Sequence, residues 1–348
     1  MTQNVDKKPK VMRESKNKIR VDFERTSLKE RLKAKYLSGN FAKFILWYIF
    51  RLLLLVGIAF VIVKPFYTMI MQSFMQASNF VDSTVVNVPK AFSAIIYKAI
   101  IVDLSYFKVF FLTLSLSLSA ALLQTFSCAL IGYGLAKFKF RGAKFVFFMV
   151  ILSLAIPHGA MQSAIFYRFQ HLDLFGILNL LGVKGGISTI RSVVPILLMS
   201  ATGLAFKNGL YIFLLRQFFR GVPDELEESA YLDGANTFRT FIQVILPLSV
   251  PMLITVFLFA FCWQWTDDFY IPLFFTGNRP ALMTYLPNLE EIPITVSSLY
   301  SKETGSSAKY KRAIVYGCGL MVCAPLIILY LFCQRYLVQG IERSGIVG

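Results

Sequence analysis

Long apolar runs separated by short polar and basic stretches set the pattern of this chain. The runs cover residues 44–64, 109–136, 145–167, 194–215, 248–275 and 313–334. Each reaches the roughly 20 residues that a helix needs to cross a bilayer. The pattern predicts an all-α membrane protein with six transmembrane helices. Lys207 interrupts the fourth run, and Pro157 lies inside the third. Residues 1–43 contain no apolar run and form a basic tail. Residues 44–348 make one membrane domain, with a polar loop at about 220–247.

Composition agrees with the pattern, since 56% of residues are hydrophobic and only 16% charged, too greasy for a soluble domain. The charge of +17 then reads as topology and lipid contact rather than as a nucleic-acid surface. Thirteen Lys and Arg lie within residues 1–43, and four more lie within 137–144. With six spans both clusters fall on one side, joined by Arg216, Arg220, Arg239, Arg335 and Arg343. Basic residues collect in the cytoplasm, so both termini are expected there. Lys302, Lys309, Lys311 and Arg312 occupy the last outside loop and weaken that bias locally. Within the tail, Leu28, Leu32 and Tyr36 keep helical spacing, which suits an interfacial helix on membrane lipids or a disordered arm. With no signal-peptide core in the tail, the first span is expected to be retained.

Several chemistries have no sequence support. No Gly-x-x-x-x-Gly-Lys-Ser/Thr loop occurs, so the chain itself is expected to bind no nucleotide. The five cysteines lack Cys-x-x-Cys spacing and read as small apolar residues. Only two histidines exist, His158 and His171, without carboxylate or cysteine at ligand spacing, so no metal site is expected. His158 reads as an interior polar group or as the lining of a polar path. No catalytic array is visible, and the chain is expected not to be an enzyme.

Two polar constellations remain. The first is Arg216–Ala235, an acidic stretch between apolar runs. Pro223 suits the first turn of a helix, and Asp224, Glu225, Glu227 and Glu228 favour its positive end. Leu226, Ala230 and Leu232 give part of an apolar face, and Gly234 can end the helix in a left-handed conformation. A short helix of two to three turns along the membrane surface is expected. The second is Trp263, Gln264, Trp265, Thr266, Asp267 and Asp268 in the fifth run. Counting about 1.5 Å per residue from Pro251 puts these acids roughly 24 Å along the helix, toward the outer end. They line either an interior path or an aromatic belt at the membrane interface.

The order within the acidic stretch is specific. Glu228-Ser229-Ala230, three residues, Gly234-Ala235, then Val244 and Leu246-Pro247 resemble the EAA loop of ABC importer permeases. Residues 106–348 are similar to carbohydrate-type, MalG-like permeases. That likeness extends to Ala136-Lys-Phe-Lys-Phe-Arg-Gly142, Ile156-Pro157, Gly209–Arg220, Gln334–Gly340 and the closing Gly345–Gly348. Ser229 and Val244 depart modestly from the family's usual Ala and Ile. The resemblance implies an EAA coupling helix on the cytoplasmic side, with Glu228, Ser229, Ala230, Asp233, Gly234, Ala235, Leu246 and Pro247 meeting the ATPase. It further implies a MalF-like second permease, two ABC ATPase subunits that hydrolyse the ATP, and an extracytoplasmic sugar-binding protein. His158, Trp263, Gln264, Trp265, Asp267 and Asp268 would then belong to a sugar translocation path. A permease for a peptide or glycerol phosphate, or a membrane scaffold without transport, are the other readings. Polar groups in the third and fifth runs favour a path over a scaffold.

The topology is testable in a cysteine-free background. Single cysteines replacing Ser38 and Lys139 should resist an impermeant thiol reagent added outside intact cells, while those replacing Asn87 and Ser306 should label. External labelling of position 139 would overturn the orientation.

Overall fold

The computed structural model describes residues 39–276, 281–286 and 307–345, apart from 77, 80–81, 83, 87, 174–175, 181 and 183–184. The basic tail and its expected interfacial helix at 24–37 lie outside the described residues. The chain divides into two compact units, Met1–Tyr67 and Thr68–Gly348. The described residues are mostly helical, and β structure among them is limited to the isolated bridges Met75–Phe92 and Leu172–Ile187.

Three helices are long and apolar enough to cross a membrane: α1 (Gly39–Ser73), α3 (Tyr106–Lys137) and α12 (Ser307–Gly345). They contain the first, second and sixth apolar runs. The short α2 (Ile95–Val102) precedes α3.

The other three runs are broken. The third is split at Ile156-Pro157 into α4 (Ala143–Ala155) and α5 (His158–Gln170), bent by 107°. Proline disfavours helical geometry in the residue before it, and Ile156 is indeed extended at φ −74°, ψ 121°. The fourth run, expected as one helix, is two: α6 (Val194–Thr202) and α7 (Asn208–Arg220). Gly203 adopts φ +75°, and the N–H groups of Leu204 and Ala205 both turn back to the Met199 carbonyl. Next come α8 (Glu225–Leu232) and α9 (Thr237–Leu248). The fifth run starts at the 81° bend between α9 and α10 (Val250–Trp265), and it stops short at Trp265. A separate helix, α11 (Tyr270–Phe274), follows. With each bent pair counted as one crossing, the described residues hold up to five candidate spans by length and composition. The α6–α7 pair is not among them.

Within the second unit α3 is the central helix, packed on α6, α7 and α10, while α12 packs on α10 and α2. Small residues permit the closest approach. A Cβ on Gly132 of α3 would meet the backbone N of Arg216 and the Cβ of Leu215 in α7 at 3.1 Å. Trp265, fully buried, joins α10 to α12 by donating its indole N–H to the Val322 carbonyl at 3.1 Å, and Phe110 of α3 meets it edge-on. Around it, Tyr211, Phe219, Phe241 and Tyr310 belong to the same core.

A valine at position 132 would overpack this contact, which typically costs about 1–3 kcal/mol. Gly134 lies two residues along the same helix, and a Cβ there meets nothing closer than Phe138 at 3.9 Å. Gly132→Val should therefore lower the thermal midpoint in detergent by several degrees more than Gly134→Val. Equal midpoints would refute the close packing of α3 on α7.

Candidate functional site

The breaks in the helices converge on a cavity of about 240 Å³. α3 contributes Gln124, α5 its first residue His158, and the α6–α7 break supplies Ala205, Phe206 and Lys207. α7 adds Tyr211, α10 adds Ala260, Trp263 and Gln264, and the turn into α11 adds Asp267, Asp268, Phe269 and Tyr270. Five of the six residues expected on a path thus share one cavity. Trp265 does not: it points into the core, which corrects its assignment.

Asp267 has a structural task beside the cavity. Its Oδ1 accepts from the backbone N–H of Phe269 at 3.0 Å and of Tyr270 at 2.9 Å. Its Oδ2 accepts from the N–H of Ile271 and from the Gln264 side chain, both at 3.2 Å. The carboxylate therefore caps α11, satisfying donors that a broken helix exposes inside an apolar chain. Asp268, by contrast, is exposed. Tyr270 then fastens the opposite wall, its hydroxyl accepting the Phe206 N–H at 2.9 Å. His158 stacks edge-on against Phe206, so it is a wall residue of the cavity.

Lys207, Gln124 and Tyr211 are the lining groups that sequence reasoning missed. The Lys207 ammonium lies over the Trp263 ring at 4.1 Å and near the Phe206 ring at 5.4 Å. Gln124 donates to the Ser200 hydroxyl at 3.2 Å. Tyr211 is fully buried, and its hydroxyl has no hydrogen-bond partner among the described residues. The signals existed: Lys207 breaks the fourth run, and Gln124 is a full amide in the middle of the second.

The acidic segment forms a second, separate constellation. α8 spans eight residues, and its C-terminus closes as a Schellman motif. The Ala235 N–H bonds the Ala230 carbonyl, the Gly234 N–H bonds the Tyr231 carbonyl (both 3.0 Å), and Gly234 takes φ +82°. Glu228, Ser229, Asp233 and Gly234 are exposed, while Ala230 is buried. The apolar face differs from expectation, because Leu232 is 89% exposed and Leu226 points partly outward. The buried face is made instead by Glu227 and Ala230.

Lys137, at the end of α3, explains why a glutamate is buried there. Its ammonium donates to the Val222 carbonyl at 2.8 Å and to Asp224 at 2.6 Å, and lies 3.4 Å from Glu227. The Tyr133 hydroxyl donates to the other Glu227 oxygen at 3.4 Å. The Lys137 side chain is only 8% exposed, and its hydrogen bond holds the Asp224 carboxyl below the usual carboxylate range. Downstream, the Asn236 side chain caps α9 by accepting the Arg239 N–H at 2.8 Å. Pro247 offers no N–H to the carbonyl four residues back, and residues Phe241–Ile245 widen into a π turn in which the Leu246 N–H reaches Phe241.

A cavity formed where helices break inside a helical membrane chain is the arrangement of a membrane transport protein. Residues 129–343 match the family model of the binding-protein-dependent transport system inner membrane component, and the chain belongs to that family. It is 26% identical over 243 residues to the arabinooligosaccharides transport system permease AraQ of Bacillus subtilis, covering 70% of this chain and 74% of that protein. The polygalacturonan/rhamnogalacturonan transport system permease YtcP of the same organism is 24% identical over 293 residues, covering 83% and 94%. A crystal structure of a bacterial ABC transporter that imports the acidic polysaccharide alginate shares the fold. Its TM-score is 0.64 at 18% identity, over 90% of this chain and 99% of that one.

If Asp267 brackets α11, Asp267→Asn removes acceptor capacity from backbone donors that nothing else satisfies. Its thermal midpoint in detergent should fall clearly below that of Asp268→Asn, which alters an exposed carboxylate. Indistinguishable midpoints would remove the bracketing role.

Proposed function

We propose that this chain is the translocating subunit of an ABC importer for a sugar or oligosaccharide in a bacterial cytoplasmic membrane. The observation that carries this reading is the family match over residues 129–343, which spans α8 and every cavity-lining residue except Gln124. Sugar transport permeases among its relatives support the substrate class. Counting the α6–α7 pair as a sixth, broken crossing gives six spans, with both termini in the cytoplasm.

The path through this subunit runs along the cavity. Trp263, 54% exposed, offers an indole to a sugar ring, while Gln124 and Gln264 offer amide groups to its hydroxyls. Two ABC ATPase subunits hydrolyse the ATP, and α8 is the coupling helix that meets one of them. Glu228, Ser229 and Asp233 are its exposed polar surface, Gly234 and Ala235 shape its exit, and Leu246-Pro247 set the π turn beyond. Closure of the ATPase dimer moves α8 and, with a MalF-like second permease, turns the cavity between two orientations. An extracytoplasmic binding protein delivers the solute.

Co-purification of the ATPase and uptake in the same cells test this assignment. Glu228→Lys reverses an exposed charge at the α8 surface and should weaken ATPase retention in a salt-sensitive way. Gly234→Val forces a β-branched residue to φ +82°, where no neighbour crowds the added Cβ, so the strain falls on the backbone. It should retain more ATPase than Glu228→Lys yet lose substrate-stimulated hydrolysis. Wild-type retention and transport in both variants would deny α8 the coupling role.

A further inference from the structure

The cavity carries a cation, Lys207, that makes no ion pair among the described residues. Among the described residues, ion pairs join Lys90 to Asp82 and Lys137 to Asp224 and Glu227; none involves Lys207. The carboxylate nearest in sequence within the cavity, Asp267, already accepts four N–H donors at 2.9–3.2 Å. Asp268 is exposed, so water screens it. The Lys207 ammonium rests instead on the Trp263 ring, which holds it in place without neutralising it.

Its backbone adds to the same sign. Lys207 is the N-cap of the 13-residue α7, and its carbonyl receives the first helical bonds, from Leu210 at 3.0 Å and Tyr211 at 3.2 Å. The positive end of the α7 dipole therefore starts at the cavity wall. An uncharged sugar filling this space would strip water from a half-buried ammonium and return only neutral oxygens. An anionic group would compensate it with a charge-assisted hydrogen bond.

We propose that the cavity selects a saccharide bearing an anionic group, with Lys207 as the specificity-determining residue. This rests on the importer reading and narrows it from sugars in general to acidic ones. A carboxylate on the ring, as in a uronic acid, and a phosphate ester share the required chemistry.

The test uses the complete complex in proteoliposomes, with its ATPase and binding-protein partners. Stimulated ATP hydrolysis is measured with trigalacturonate, with the neutral galactose trimer and with a sugar phosphate. The wild-type complex should respond to an anionic ligand more strongly than to the neutral trimer. Response to trigalacturonate assigns the carboxylate as the anionic group, and response to the sugar phosphate alone assigns the phosphate; either supports anion selection. Lys207→Met should raise the half-saturating concentration of the anionic ligand about tenfold or more, the usual effect of losing a charge-assisted hydrogen bond. Lys207→Arg should restore most of the response, which a variant that merely misfolds at this position would not. A response to the neutral trimer equal to the anionic one, unchanged in Lys207→Met, overturns anion selection while sugar import stands. Failure of every saccharide to stimulate the wild-type complex overturns both.

Discussion

A chain inside lipid must satisfy every backbone N–H and carbonyl that leaves a helix, because no water is there to do so. This constraint explains the cavity. α10 stops at Trp265, and the N–H groups at the start of α11 would be orphaned but for the carboxylate of Asp267. The Tyr270 that follows holds the Phe206 N–H, and through it the broken segment between α6 and α7. One acid thus permits a helix break, and the break in turn exposes Lys207, Phe206 and Trp263 to a shared space. The carboxylate oxygens of Asp267 are occupied by backbone and amide donors in building the wall, and no described ion pair joins them to Lys207.

The same principle operates at α8, with the signs reversed. Lys137 sits where the negative end of the α3 dipole meets the positive end of α8, and its ammonium takes the Val222 carbonyl and two carboxylates. Asp224 occupies the N-cap position of α8 but does not cap it; its carboxylate is turned to Lys137 instead. Ion pairs on a surface contribute little, but here the cation and Glu227 are both nearly removed from water. Removing Lys137 would leave the charge of Glu227 buried and without an ion-pair partner, which is far costlier than the pair itself is stabilising. α8 is therefore fixed to the end of α3 rather than merely lying beside it.

What the sequence disclosed follows from what hydropathy measures. It reads length and apolarity, so the continuous helices α1, α3 and α12 were legible, as was the acidic helix with its left-handed Gly234. Continuity was not. Pro157 was visible, yet the 107° bend depends on how α4 and α5 pack after it. Lys207 registered as an interruption, but its meaning lies in the contact with Trp263, more than fifty positions away. Trp263 and Trp265 looked alike in sequence, and a two-residue shift around α10 sends one to the cavity and the other to Val322. Lys137 was counted only as a topological charge, because its partners Asp224 and Glu227 are distant in sequence. Leu232 was assigned inward on composition, whereas the ion cluster, not the leucines, decides which face of α8 is buried.

These two constellations are joined by one rigid element. Gln124 lines the cavity from the middle of α3, and Tyr133 and Lys137 hold α8 from its end. Thirteen residues of helix separate Gln124 from Lys137, about 20 Å at 1.5 Å per residue. α3 is also the helix packed most closely on its neighbours, through Gly132 against α7, whose N-cap is Lys207. A push on α8 thus reaches α3 through a buried ion cluster and α7 through the chain that leads into the loop. α7 starts at the cavity wall and α3 crosses it at Gln124, and dense packing between them leaves little room for the motion to dissipate. The α7 start bearing Lys207 is attached to the rest of its wall by a helix break, held by the hydrogen bond from Phe206 to Tyr270. In a mechanism driven from α8, displacement would accumulate at that weaker joint in the cavity wall.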